Sequence, residues 1–175
     1  MKLRKSEWSV VELHSRNRVN EFLNKYHYLG ALPVWKIALG LFSAEDCLRM
    51  YEVIVLGLPV SRILMQKEPN TLEVRRLCLS DEAPKNAASY LLGYATRWGV
   101  KHGYDRIVSY ADPSVRDIRN CPANERRGTI YFAANFRLVG WTKACHWKRN
   151  GRDRRIRYTG PKLKFIWDAK KRVKR

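Results

Sequence analysis

Between residues 15 and 26, apolar side chains recur at Val19, Phe22, Leu23 and Tyr26, the i, i+3, i+4, i+7 spacing of one helical face, with Ser15 in front as an N-cap. The spacing predicts an amphipathic helix that ends at the stretch NKYHYLG. After Leu32 and Pro33 the period changes. WKIALGLFS and CLRMYEVIVLGLP are apolar runs with β-branched residues joined by the polar AED, and they predict a β-hairpin. TLEVRRLCLS (71–80) alternates Leu72 and Val74, then Leu77 and Leu79, and predicts a strand with a charged interruption at Glu73, Arg75 and Arg76. By strict alternation Glu73 and Arg75 share one face and Arg76 takes the other.

From 83 to 103, Ala88, Leu91, Leu92, Ala95 and Trp98 form one helical stripe, with Gly103 where a C-terminal cap belongs. YDRIVSYAD follows as a short buried strand, GTIYFAANF as a short helix, and RLVGWTKACHW as a strand running into a basic tail. The order helix, hairpin, strand, helix, strand, helix, strand predicts an α/β (α+β) single domain with a central mixed β-sheet flanked by helices.

Charge adds a partner class. With 35 Lys and Arg against 16 Asp and Glu, the 175-residue chain carries +19, a field that favours a polyanion. Nucleic acid is the first candidate and an anionic membrane surface the alternative. Fourteen of the cations fall between Lys143 and Arg175, interleaved with Trp147, Tyr158, Phe165 and Trp167. Planar side chains among cations suit phosphates and unstacked bases, and Lys143, Lys148, Arg149, Arg152, Arg154, Arg155 and Arg157 are the expected nucleic-acid contacts. The four cysteines have neither zinc-finger spacing nor a CxxC pair. No signal-peptide-like apolar region follows Met1 and no apolar run would cross a bilayer, so a cytoplasmic location without a membrane partner is expected.

The run from strand 71–79 through a helix to strand 105–111 and then IYFAANFRLVGW resembles the GNAT acyltransferase core. More closely, HYLG, EVRRLCLS, KNAAS, SYADP and GTIYFAANFRLVGW, in this order between about residues 24 and 142, resemble the Mom-type DNA modification proteins of bacteriophages. The resemblance implies a GNAT-like catalytic domain over 1–142, with 143–175 as a basic strand or tail extension of the same domain. It also implies an activity: conversion of adenine in double-stranded DNA to N6-carbamoylmethyladenine, a phage anti-restriction hypermodification carried out in the bacterial host. Two other readings stand beside it, an acyl-CoA N-acetyltransferase acting on a protein or small amine, and a non-catalytic nucleic-acid-binding protein.

The resemblance gives His27 and Tyr28 a catalytic setting. Alone, His27 reads as a helix-terminal side chain whose charge suits the C-terminal end of the helix dipole; within the resemblance it is a base or a metal ligand. One of Arg75 and Arg76 is implied to be essential, a guanidinium fork for a phosphate or carboxyl, with an ion pair to Glu73 as the other reading. Asp112 follows a predicted strand, where open α/β sheets place functional groups, and Asp before Pro is equally a turn initiator. Tyr131 corresponds to a general-acid tyrosine or to a core aromatic. Lys85, Asn86, Ala87, Ala88 and Ser89 occupy the place of the glycine-rich pyrophosphate turn of GNAT enzymes and are small enough to admit an acyl-CoA. An aminoacyl donor, including aminoacyl-tRNA, remains open, as does a homodimer. Iron held by His27 and Asp112 is a further expectation of the resemblance. Chemistry at N6 requires the base to leave the stack, and Tyr28, Trp35, Tyr110 and Trp141 are candidate stacking partners.

Overall fold

The computed structural model describes residues 5–112, 128–144 and 160–169. Seven strands form one sheet in the order β1-β2-β3-β4-β5-β7-β6: β1 Trp8–Leu13, β2 Ile37–Ser43, β3 Met50–Gly57, β4 Thr71–Leu79, β5 Arg106–Ala111, β6 Arg137–Trp141 and β7 Leu163–Asp168. Only β4 and β5 are parallel; every other neighbouring pair is antiparallel. Four helices, α1 Arg16–Tyr26, α2 Arg62–Lys67, α3 Ala87–Lys101 and α4 Thr129–Ala133, complete the described chain. β1 and α2, which no pattern in the sequence had suggested, extend the expected order without changing its class.

The period of α1 does what its spacing predicts. Ser15 caps it by accepting the Arg18 N–H, and Val19, Phe22 and Leu23 are buried against Ala38, Phe42, Val53, Val55 and Cys78 on one face of the sheet. On the other face α3 lays Leu91, Leu92 and Ala95, with Tyr131 and Phe136 from the α4 region, against Leu39, Ile54, Leu56, Leu72, Ile107, Phe165 and Trp167. Strands β2 and β3 are covered on both sides and are apolar almost throughout, as a doubly covered strand must be.

The tail reading changes at β7. This strand lies inside the sheet, paired to β5 along one edge and to β6 along the other. Phe165 is 0% exposed and Trp167 4%, so these two aromatics belong to the core and cannot stack on bases. The alternation Leu163, Phe165, Trp167 was hidden by the lysines around it, which turn Lys162 and Lys164 outward from the same segment. Of the expected phosphate contacts, Lys143 is exposed just beyond β6, whereas Lys148, Arg149, Arg152, Arg154, Arg155 and Arg157, with Trp147 and Tyr158, lie outside the described residues.

Ending the chain at residue 159 is therefore expected to abolish cooperative unfolding, because it removes an interior strand with four buried side chains rather than a solvated tail. Retention of a sharp thermal transition by the truncated protein would show that β7 is dispensable.

Candidate active site

β4 and β5 pair only through Thr71, Leu72 and Glu73 with Arg106, Ile107 and Val108. Past these residues the strands part, although each keeps its outer neighbour along its length, β3 for β4 and β7 for β5. The result is a notch whose walls are braced from outside and whose inner edges offer backbone N–H and C=O groups to a ligand.

A β-bulge shapes the β4 wall. Val55 pairs with Arg76 and Leu56 with Val74, so Arg75 is the extra residue. The bulge overturns strict alternation: Arg76 lies opposite Val55, on the α1 face, and so does Glu73, opposite Gly57. Arg75 folds over Gly57, puts Nη1 3.7 Å from Glu73 Oε1, and donates from Nη1 to the Leu58 carbonyl at 3.3 Å. Both readings of the arginine pair thus hold for different residues. Arg75 makes the internal ion pair, while Arg76 donates from Nη1 to the Arg75 carbonyl at 2.7 Å and sets Nε 3.5 Å from the carbonyl of Gly30, in the His27 turn.

That turn is built by short polar residues. His27 ends α1, its N–H donating to Leu23 O at 2.8 Å; Gly30, at φ +62°, donates to His27 O at 2.8 Å; Asn24 Oδ1 accepts the Ala31 N–H at 2.8 Å. A left-handed residue is needed to reverse the chain here, and glycine adopts it without strain. The imidazole Nδ1 accepts the Leu29 N–H at 3.0 Å, and the ring stacks on Tyr28, centroids 4.7 Å apart and planes 20° apart. Burial, reinforced by the Arg76 charge, lowers the His27 pKa to about 4. The helix-capping charge is therefore absent: the ring is neutral at pH 7.

From the other wall, Tyr131 at α4 is buried, its hydroxyl accepting from Ser109 Oγ at 2.9 Å and its ring stacked on Phe165 at 4.5 Å. Burial pushes its phenol up, the Ser109 bond opposes the rise, and the Tyr28 phenol adds to it. Tyr28 thus communicates across the notch while remaining 52% exposed at its mouth. Glu73 is also raised, by burial first, with the Val60 N–H bond and the Arg75 and Lys162 charges pulling down, and it in turn raises Tyr110, itself pushed up mainly by burial. Asp112 stands at the end of β5, but the charge that acts on His27 is that of Arg76.

His27, Tyr28, Arg75, Arg76 and Tyr131 are therefore brought to one notch, with Asp112 at its β5 rim. Glu73, Ser109 and Tyr110 belong there too. Their signal was available as polar residues inside otherwise apolar strands, although only the bulge explains how β4 accommodates them. Lys85 and Asn86 are exposed at the start of α3, Ala87 and Ala88 are buried, and Ser89 Oγ donates to Asn86 O at 3.1 Å. Ala87 packs with Trp8 and Leu41, so only backbone in this turn is free to meet a ligand. Of the stacking candidates, Trp35 lies partly buried beneath Arg16, 5.4 Å from its ring, and Trp141 is on the far edge strand.

The expected iron does not fit. Among the described residues no three His, Cys, Asp or Glu side chains are grouped to hold a metal ion; moreover, His27 Nδ1 is occupied by an amide hydrogen and a guanidinium charge acts on the ring. A cleft of 420 Å³ lined by Lys67, Glu68, Asn70, Asp105, Arg106 and Asp168 opens at the opposite end of β4 and β5, where Arg106 is matched by Glu68 and Asp168. Among the described residues no helix is long and apolar enough to cross a membrane.

The notch between parted parallel strands defines the class: this is a GNAT-fold protein. An acetyltransferase from Bacillus subtilis solved with CoA superimposes with a TM-score of 0.56 at 14% identity, covering 93% of this chain and 97% of its own. The ribosomal-protein-S18-alanine N-acetyltransferase of Escherichia coli gives 0.58 at 8% identity (93% and 94%), and an N-acetyltransferase of Staphylococcus aureus 0.57 at 13% (92% and 99%). The Mom protein family model matches residues 8–173, and the chain belongs to that family. No curated protein sequence matches it.

The neutral state of His27 has a measurable consequence. The unfolded chain, titrating near 6.5, binds a proton that the folded chain refuses until about pH 4. The contribution of the buried neutral ring is complete above pH 6.5 and is lost as pH falls toward 4. The stability of the wild type relative to His27→Gln is expected to decline over that window in denaturant titrations; a constant difference would show a solvent-like imidazole.

Proposed function

We propose that this protein is a transferase that modifies adenine N6 in double-stranded DNA, giving N6-carbamoylmethyladenine and shielding phage DNA from restriction. The observation that carries this reading is the half-exposed Tyr28, stacked on the neutral His27 ring at the mouth of the notch and acting electrostatically on the buried Tyr131 phenol behind it. An extruded base needs a planar face to replace its stack and polar groups to read its edge. The +19 charge supports a DNA partner, and membership of the Mom family supports the same substrate.

The roles follow from protonation states. Tyr131, kept neutral, donates its proton to the leaving group; its bond from Ser109 holds the hydroxyl oriented. Arg76, which the bulge turns toward the His27 turn, attracts an anionic oxygen of donor or DNA. The donor favoured is an acyl-CoA, because the fold is shared with a CoA-bound protein and the backbone at Asn86–Ser89 begins a 15-residue helix beside the notch; aminoacyl-tRNA is the alternative. Direct transfer of a glycyl group would yield the N6-glycyl isomer, whereas the carbamoylmethyl product has nitrogen bonded to methylene.

Nucleosides from plasmid DNA made with and without this protein, resolved by mass spectrometry, are expected to show modified deoxyadenosine, and fragmentation distinguishes the two isomers. Unmodified DNA alongside verified folded protein would count against the reading, and CoA binding with no preference for DNA over heparin would favour an acetyltransferase of proteins or small amines. Tyr131→Phe is expected to lower the modification rate by roughly 10²-fold while leaving the fold intact. An unchanged rate would remove Tyr131 from the proton path.

A further inference from the structure

Imidazole has two nitrogens, and in the neutral ring one accepts and the other donates. In His27 the choice is already made. Nδ1 accepts the Leu29 N–H at 3.0 Å and so holds its lone pair toward the backbone. The backbone cannot easily turn that N–H away, because the turn is tied by His27 N–H to Leu23 O, by Gly30 N–H to His27 O and by Ala31 N–H to Asn24 Oδ1, each at 2.8 Å. Tyr28 lies against the face of the ring and restrains its rotation. Half-burial and the Arg76 charge both oppose a second proton. The single proton of the ring therefore belongs on Nε2.

We infer that His27 serves this site as a neutral hydrogen-bond donor through Nε2–H, directed at the carbonyl oxygen of the transferred group, and not as the base that deprotonates the nucleophile. The inference rests on the transferase reading of the notch. An Nε2 that carries hydrogen has no lone pair with which to take a proton from an amine or to ligate a metal. It suits instead an oxygen that gains negative charge during attack, and the Arg76 guanidinium, which acts on the same ring, adds to the attraction. In the step so assisted, a bond forms from adenine N6 to the carbonyl carbon and the bond from that carbon to the donor heteroatom breaks. The N6 proton passes to a carboxylate of the notch walls, Glu73 or Asp112, and the leaving heteroatom takes the Tyr131 proton.

Two measurements test it. In the full-length protein labelled with ¹⁵N-histidine, with His27→Gln used for assignment, long-range proton–nitrogen correlation is expected to show His27 protonated at Nε2 and unprotonated at Nδ1 at neutral pH. A ring protonated at Nδ1, or an imidazolium at pH 7, overturns the inference whatever the protein's substrate. In the modification assay, the His27→Gln amide brings an N–H to the place of Nε2–H and is expected to keep the rate within about tenfold of wild type. His27→Ala and His27→Asn lose roughly 10²–10³-fold, as loss of one oxyanion donor does. A His27→Gln protein that folds but is as slow as His27→Ala, or that loses the acidic limb of the wild-type pH–rate profile, overturns the donor role. DNA left unmodified by the wild type would defeat the transferase reading and with it the donor role, even where the tautomer is the one expected.

Discussion

Parallel pairing of β4 and β5 stops after three residues, and the site depends on that stop. A continuous ladder would bury the inner edges of both strands and leave no room for a substrate. Each strand can leave its partner without unravelling because β3 and β7 hold the outer edges. The interior place of β7 is thus a requirement of the notch as well as of the core. Without it, β5 would be a short strand attached to the sheet by three residues.

The bulge at Arg75 works with this parting. One extra residue in β4 shifts the side-chain alternation past that point by one position. Glu73 and Arg76 then share the α1 face, and two guanidinium groups reach the end of α1 from adjacent positions in the chain. One is held locally by Glu73 and the Leu58 carbonyl. The other is directed at the turn that carries His27, where its charge and the desolvation of the ring act in the same direction.

Burial sets the protonation states of the notch. His27 is kept without its proton, while Glu73 and Tyr131 are held more tightly to theirs. A site lined with neutral donors and a few cations suits an acceptor that becomes anionic as it reacts. It suits a resident metal cation poorly, which agrees with the failure of His27 and Asp112 to form part of a three-ligand group among the described residues. The expected roles of His27 as base and ligand were reasonable for an imidazole in general; the Leu29 amide decides against both.

Helices α1 and α3, the β2–β3 hairpin, strands β4 and β5 and the short α4 were legible in the sequence, because each buries one face or two and so leaves a period in its apolar residues. The ordered motifs HYLG, EVRR, SYAD and GTIY were legible as a set, and four of their side chains do meet in one notch. β7 was not legible, since its alternation of Leu163, Phe165 and Trp167 sits in a segment dominated by charge. Nor were the face taken by Arg76 and the proton on Nε2. Local periodicity records which side of an element is buried, and that the sequence determined by itself. Where a strand bulges against its neighbour, where two strands part, and which amide meets an imidazole are decided by pairing and approach between distant segments, and only the tertiary structure settles them.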